Sequence, residues 1–129
     1  MEKSKNIKAF ILRYFTTLST APAKTRELIE QYVEDEALIE HILFFDSVFP
    51  GYEVFAEEMV AEGNKIFIRA RLKGTHKGNF NNIPPTFKVV EFPFAIGYEV
   101  ENDKIVHHWL IADQTVLMEQ LGLAGEVPA

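Results

Sequence analysis

The sequence predicts an α+β fold in which N-terminal helices pack on a strongly curved antiparallel or mixed β-sheet and enclose a pocket. Two observations support this prediction. Before the Pro50-Gly51 pair, apolar residues recur every three or four positions, which is the period of a helix with one buried stripe. Beyond that pair, apolar and polar residues alternate, which is the period of strands. Helices followed by strands are typical of α+β domains.

Three helices are predicted in the first part of the chain. An apolar stripe predicts the first helix over about 4–19, and Pro22 follows it. A shorter apolar pattern after Thr25 predicts the second helix. Asp35 is expected to cap the third, because an aspartate side chain accepts hydrogen bonds from the free N–H groups of the first turn. The third helix is predicted to end before Pro50-Gly51, which is a strong turn signal.

The alternating region predicts an antiparallel meander and a short closing helix. The strands are expected over about 52–60, 64–73, 87–100 and 105–113, and the helix near 116–121. A long loop over 74–86 contains Pro84-Pro85 and cannot continue a ladder of hydrogen bonds. Pro93 falls inside the third strand, so we expect an edge, a bulge or a bend there.

Length and composition exclude several classes of protein. With 129 residues, 47% of them hydrophobic, the chain is expected to form one domain over 1–129. Cysteine is absent, which excludes disulfides, thiolate nucleophiles and cysteine-bound zinc. A formal net charge of -6 argues against nucleic acid as a partner. Neither a secretion signal nor an apolar run of membrane-spanning length is present, so we expect a cytoplasmic protein that does not enter membranes.

Several short segments, in their order and spacing, resemble the SnoaL-like polyketide cyclase (ester cyclase) family. They are Phe49-Pro50-Gly51-Tyr52-Glu53, Ala61-Glu62-Gly63-Asn64-Lys65, Gly74-Thr75-His76-Lys77-Gly78-Asn79-Phe80, Ile83-Pro84-Pro85-Thr86 and Lys104-Ile105-Val106-His107-His108-Trp109, followed by Asp113 and Gln120-Leu121-Gly122. The resemblance is strongest over 36–122. It implies the cone-shaped fold of nuclear transport factor, which ketosteroid isomerases share.

The resemblance also implies a type of chemistry. Characterised members of the family close polyketide rings by intramolecular aldol reactions, with acid/base side chains and no metal or organic cofactor. Their usual catalytic acid/base is an acidic residue at the end of the last strand, which corresponds to Asp113 here. We therefore expect a cofactor-independent cyclase or isomerase acting on a hydrophobic carbonyl compound. The chain departs from the family at His107 and Leu110, where members commonly carry acidic residues, so a non-catalytic binding module for an apolar metabolite is the alternative.

Three residues are candidates for catalysis, and each has a second interpretation. Asp113 is a candidate acid/base, but it also suits the N-cap of the closing helix. His108 is favoured by the family comparison, whereas strict alternation groups His107 with Trp109 and Asp113; a bulge would reconcile the two. His76 is a candidate proton carrier at the pocket rim or, alternatively, a loop-ordering residue.

Further residues are candidates for ligand binding. The expected pocket walls are aromatic residues that share a strand parity or the stripe of the first helix: Tyr14, Phe92, Phe94, Tyr98 and Trp109. Arg69 is expected to form an ion pair or to bind an anionic group of a substrate. No metal site is expected, because the four histidines include no pair at helical spacing, and His41 is interpreted as a helix-surface residue.

The strands also predict an assembly state. Apolar residues occur on both parities, with Phe67 beside Ile66 and Trp109 beside Leu110. Since the helices cover only one face of the sheet, we expect the other face to be buried in a two-fold homodimer.

Overall fold

The computed structural model describes residues 2–80, 82–112, 117 and 119–121. The helices come first, and four antiparallel strands follow in the spatial order β1-β2-β3-β4. Their bounds are α1 Glu2–Thr20, α2 Arg26–Glu30, α3 Glu36–Val48, β1 Glu53–Glu62, β2 Lys65–Thr75, β3 Val89–Glu101 and β4 Lys104–Ala112. This curved, cone-shaped α+β architecture confirms the predicted fold class. No helix in the described part of the chain is long and apolar enough to cross a membrane.

Two N-caps, of which Asp35 was predicted, set where the two shorter helices begin. Thr25 accepts a hydrogen bond from the Leu28 N–H at 3.2 Å, and Asp35 accepts one from the Leu38 N–H at 3.3 Å. The second helix is shorter than its apolar pattern indicated, because the chain turns at residues 31–32 and Val33 then forms an isolated parallel bridge with Ile105 of β4. The link between α2 and α3 is therefore attached to the far edge of the sheet.

The sheet has an inner face toward the helices and an outer face away from them. On β2, the alternation expected from the sequence holds: Ile66, Ile68, Ala70 and Leu72 are all buried. The first strand contains a bulge at Glu57, where the register with β2 shifts between Ala56 and Glu58. Such bulges bend a strand and change which residues face inward. The inner face packs against α1, with which β1 and β2 are in contact.

Pro93 was expected to mark an edge, a bulge or a bend. Among the described residues, the register of β3 with β4 begins at Phe94 and Val89–Pro93 pairs only with β2, while the position in register with Pro93 on β4 lies outside the described residues. The side chain of Gln120 contacts the backbone of β3 in this segment. Its Oε1 accepts from the Glu91 backbone N–H at 2.5 Å, and its Nε2 donates to the Glu91 carbonyl.

A buried lysine joins the segment before α2 to the turn between α3 and β1. The Lys24 Nζ donates to the Tyr52 backbone carbonyl at 2.6 Å, lies 3.6 Å from an oxygen of Asp46 and stands 4.1 Å from the centroid of the Tyr52 ring. Burial lowers the pKa of Lys24, and the charge of Asp46 opposes this shift. Asp46 also accepts from the Gly51 N–H at 3.0 Å, so the Pro-Gly turn is held at the same point.

Candidate functional site

An inner cavity lies between α1, α3 and the inner face of the sheet. Its wall is mostly aliphatic and aromatic, and its polar members are Tyr14, Tyr52, Tyr98 and His41. The cavity volume is about 60 Å³. Among the described residues, the wall includes no lysine, arginine, aspartate or glutamate. Such a wall suits a neutral apolar ligand, because it offers hydrogen bonds without an ion pair.

Tyr14 of α1 and Tyr98 of β3 face each other across this cavity. Their ring centroids are 5.9 Å apart in an edge-to-face arrangement, and their side chains hydrogen-bond. Burial raises the pKa of both hydroxyls, and burial likewise raises the pKa of Tyr52. All three hydroxyls therefore keep their protons at neutral pH. Because Tyr14 and Tyr98 bond to each other, one proton of that pair and the proton of Tyr52 are left to donate to a ligand oxygen.

His41 lines the cavity, which corrects the interpretation of this residue as part of the helix surface. It follows Leu38 by three positions on α3, so it lies on the buried stripe, and its ring centroid is 4.5 Å from that of Phe45. Burial lowers the pKa of His41, and the charge of nearby His108 lowers it further. The helical spacing was the signal that could have identified this residue from the sequence.

Asp35 and His108 form a pair beside the cavity. Oδ2 of Asp35 is 2.6 Å from Nδ1 of His108, and the two side chains are only 12% and 16% exposed. Burial alone would raise the pKa of Asp35, but the hydrogen bonds to His108 and to the backbone N–H groups of Leu38 and Ala37 lower it overall. Asp35 was predicted as a helix cap, and its second partner was not foreseen.

The link between α2 and α3 carries Asp35 to this position. The N–H groups of Glu34 and Asp35 donate to the Ile105 carbonyl at 2.8 and 3.2 Å, and the Ile105 N–H donates to the Tyr32 carbonyl at 2.8 Å. Three backbone hydrogen bonds thus hold the first turn of α3 against β4. This places the cap residue opposite a histidine 73 positions later in the chain.

A bulge decides which of the two adjacent histidines faces inward. Glu99 pairs with His107 while Val100 pairs with Ile105, so Val106 is an extra residue on β4. Ile105 is buried, and without the bulge His107 would share its face. The extra residue reverses this order: His107 is exposed on the outer face and His108 points inward to Asp35. The bulge proposed as a reconciliation is therefore present.

The other predicted wall residues divide between the two faces. Tyr14, Phe92, Phe94 and Tyr98 line the cavity. Trp109 does not, because Leu110 takes the inward position on β4 and Trp109 stacks on Phe67 of the outer face with ring centroids 5.9 Å apart. Arg69 also lies outside, where its guanidinium is 2.5 Å from Glu58, so the ion-pair interpretation describes it.

His76 is buried in the loop after β2 and is not part of the cavity wall. Its Nδ1 accepts from the Thr86 N–H at 3.1 Å and is 2.9 Å from the Thr86 hydroxyl. The His76 N–H donates to the Lys88 carbonyl, and the His76 carbonyl accepts from Phe87. Burial lowers the pKa of the imidazole. These contacts match the alternative of a loop-ordering residue.

Two remaining predictions concern Asp113 and a metal site. Asp113 lies outside the described residues, so its role stays a prediction. Within the residues that the structure describes, no group of three histidine, aspartate or glutamate side chains is placed to hold a metal ion.

Comparison with known proteins identifies one family. The family model described as SnoaL-like polyketide cyclase matches residues 22–121. No curated protein matches the chain.

Solved structures share the fold at low sequence identity. A proposed SnoaL-like polyketide cyclase from Jannaschia sp. CCS1 is 19% identical with a TM-score of 0.79, and the match covers 94% of each chain. AclR, a proposed hydroxylase from Streptomyces galilaeus, is 20% identical with a TM-score of 0.76, covering 97% of this chain and 86% of that one. IdmH, a proposed polyketide cyclase from Streptomyces antibioticus, is 19% identical with a TM-score of 0.73, covering 90% and 98%.

Proposed function

Because the chain belongs to the SnoaL-like polyketide cyclase family, we propose that it is a cofactor-independent acid–base enzyme, of the cyclase or isomerase type, that acts on a neutral hydrophobic carbonyl compound. The observation that carries this proposal is the inner cavity. Its apolar wall holds protonated tyrosine hydroxyls and His41, with the Asp35–His108 pair beside them. A storage site for an apolar metabolite needs no such set of proton donors and acceptors.

The chemistry follows from what each group can do. A carbon next to a carbonyl loses its proton only when a base is within hydrogen-bond reach and the enolate oxygen is stabilised in a site with little water. The Tyr14–Tyr98 pair is suited to donate to that oxygen, because both hydroxyls are protonated and only one of the two protons is used in the bond between them. Asp113 is proposed as an acid/base group, as the family resemblance implies, with His108 assisting it.

The size of the cavity limits which ligands can bind without a rearrangement of its wall. A volume of about 60 Å³ is well below the roughly 300–1,000 Å³ of ordinary ligand pockets. A polycyclic ester therefore requires rearrangement of wall side chains such as Phe45 and Phe94, whereas a compact ketone requires less. The proposal accordingly begins with a small bicyclic ketone as the probe.

Enolisation of 2-tetralone tests the proposal directly. In D₂O the enzyme is expected to speed replacement of the α-protons by deuterium, which NMR follows. Asp113→Asn should slow this exchange by about 10²-fold or more while leaving the melting temperature nearly unchanged. Arg69→Gln is the matched control, because Arg69 is paired with Glu58 on the outer face. A melting temperature that falls strongly with undiminished exchange would identify Asp113 as a helix cap instead.

We also propose that a second copy of the chain covers the outer face. Phe67, Trp109 and Ile111 are 54%, 41% and 76% exposed, and they form one apolar surface. Phe67 and Trp109 lie over Gly97, where an added Cβ would be 2.5 Å from a Phe67 ring carbon. The two rings can therefore occupy this position only because residue 97 is a glycine and has no side chain. An isologous contact of at least roughly 1,000 Å² would bury it.

A further inference from the structure

We propose that His41 is a catalytic base of the inner cavity and that Asp35 and His108 are positioning residues that act on it. The inference rests on the function proposed above, because it assigns a second proton-transfer group to the same cavity. The family resemblance did not point to His41, and the sequence analysis interpreted it as a helix-surface residue.

The first argument is the position of the ring. His41 projects from the inward stripe of α3, where Leu38, Ile42 and Phe45 also line the cavity. Its ring packs at an angle of 46° on Phe45. Among the described residues, no hydrogen bond to either ring nitrogen is found, and His41 is partly exposed where it lines the cavity. A ligand in the cavity can therefore bind a His41 nitrogen.

The second argument concerns the charges that face His41. His108 on β4 is the charged neighbour that lowers the pKa of His41, in addition to burial. Asp35 at the start of α3 holds the Nδ1 of His108 at 2.6 Å and thereby fixes that ring. From α1 and β3 the facing groups are Tyr14 and Tyr98, both protonated. His41 is thus kept as the neutral imidazole, which is the form that accepts a proton.

The proposed step balances without any added reactant. The C–H bond next to the substrate carbonyl breaks, its proton moves to the free nitrogen of His41, and its electron pair forms the enolate. The Tyr14–Tyr98 pair donates one hydrogen bond to the enolate oxygen. Return of the proton from the imidazolium to carbon gives back the ketone, and return from the imidazolium to the new alkoxide follows when the enolate attacks a second carbonyl.

Exchange of the 2-tetralone α-protons as a function of pH tests this assignment. In the wild-type protein the rate should rise with pH through a step below 6.5, the ordinary pKa of histidine, and then level off. His41→Gln should lower the rate by about 10²–10⁴-fold and abolish the step. His108→Gln should move the step to higher pH, because it removes the repelling charge. His107→Gln on the outer face is the matched control and should change neither.

Histidine NMR titration provides a second measurement that does not depend on turnover. The His41 ring protons should titrate below 6.5 in the wild-type protein and closer to that value in His108→Gln. A His41 that titrates at or above 6.5 would overturn the inference. So would a folded His41→Gln protein that retains the rate and the step, and in that case the proposed function stands. If the wild-type protein does not accelerate exchange of 2-tetralone or of larger ketones, both proposals fail together.

Discussion

Replacing Asp35 with asparagine and with alanine should separate two roles of one side chain. Its Oδ1 caps α3 through the Leu38 N–H, and its Oδ2 bonds His108 at 2.6 Å. Asparagine is also a good N-cap, so Asp35→Asn should lose only the contact with His108, which we place at about 1.5–3 kcal/mol for a hydrogen bond to a charged group. Asp35→Ala should lose about 1 kcal/mol more in stability, because alanine cannot cap the helix.

The loss of stability in Asp35→Asn and Asp35→Ala should depend on pH in a specific direction. The pKa of Asp35 is lower in the folded protein than in the unfolded chain. Asp35 therefore stabilises the fold fully above its pKa in the unfolded chain, about 3.9. This stabilisation is lost as the pH falls through its pKa in the folded protein. The difference in free energy of unfolding between wild type and Asp35→Asn should be full at pH 7 and should shrink below about pH 4.

Urea denaturation of the three proteins at pH 7 and at successive values down to about pH 3 measures these differences. At neutral pH the melting temperature of Asp35→Asn should lie about 5–10 °C below that of the wild type. Equal stability of Asp35→Asn and wild type at pH 7 would refute the reasoning, since the pair with His108 would then contribute nothing. If the difference in free energy of unfolding stays constant down to pH 3, only the part of the argument that depends on the charge of Asp35 is refuted.

Three further changes test other parts of the structure. Gln120→Ala should lower the free energy of unfolding by about 1–3 kcal/mol, because it leaves the Glu91 backbone N–H without its partner; Gln120→Glu retains only the acceptor and serves as comparison. Lys24→Ala should lower it by about 3–5 kcal/mol in thermal unfolding, since the Tyr52 carbonyl and the Asp46 carboxylate then lose the lysine that contacts both, and the double variant with Asp46→Asn should recover part of this loss. Phe67→Asp should convert the proposed dimer to a monomer in light scattering; a wild-type protein that is monomeric at micromolar concentrations would contradict the assembly proposal.

Local patterns in the sequence predicted most of the fold. The stripe of α1, the cap at Asp35 and the alternation along β2 each depend on residues close to one another in the chain, so each could be inferred without a partner. Pro93 falls where the described pairing of β3 with β4 stops, and the choice between an edge, a bulge and a bend stays a prediction.

The candidate site was predicted only in part, because its composition depends on where distant segments meet. Tyr14 and Tyr98 were identified, since each follows the parity or stripe of its own element. Trp109 was placed in the cavity although it lies outside, and His41 was placed outside although it lines the cavity. The spacing of His41 from Leu38 on α3 was compatible with the inward position, but Trp109 could be placed only from the register of β4.

The sequence by itself determined the α+β class, the cap of α3, the alternation of the strands and the resemblance to the family. Only the tertiary structure decided that His108 faces inward, because the bulge at Val106 exists through the register of β4 against β3. It also decided that His108 meets Asp35, 73 residues earlier, through backbone hydrogen bonds of the α2–α3 link to Ile105. Propensity acts over a few neighbouring residues, whereas register and docking are set by the packing of the whole chain.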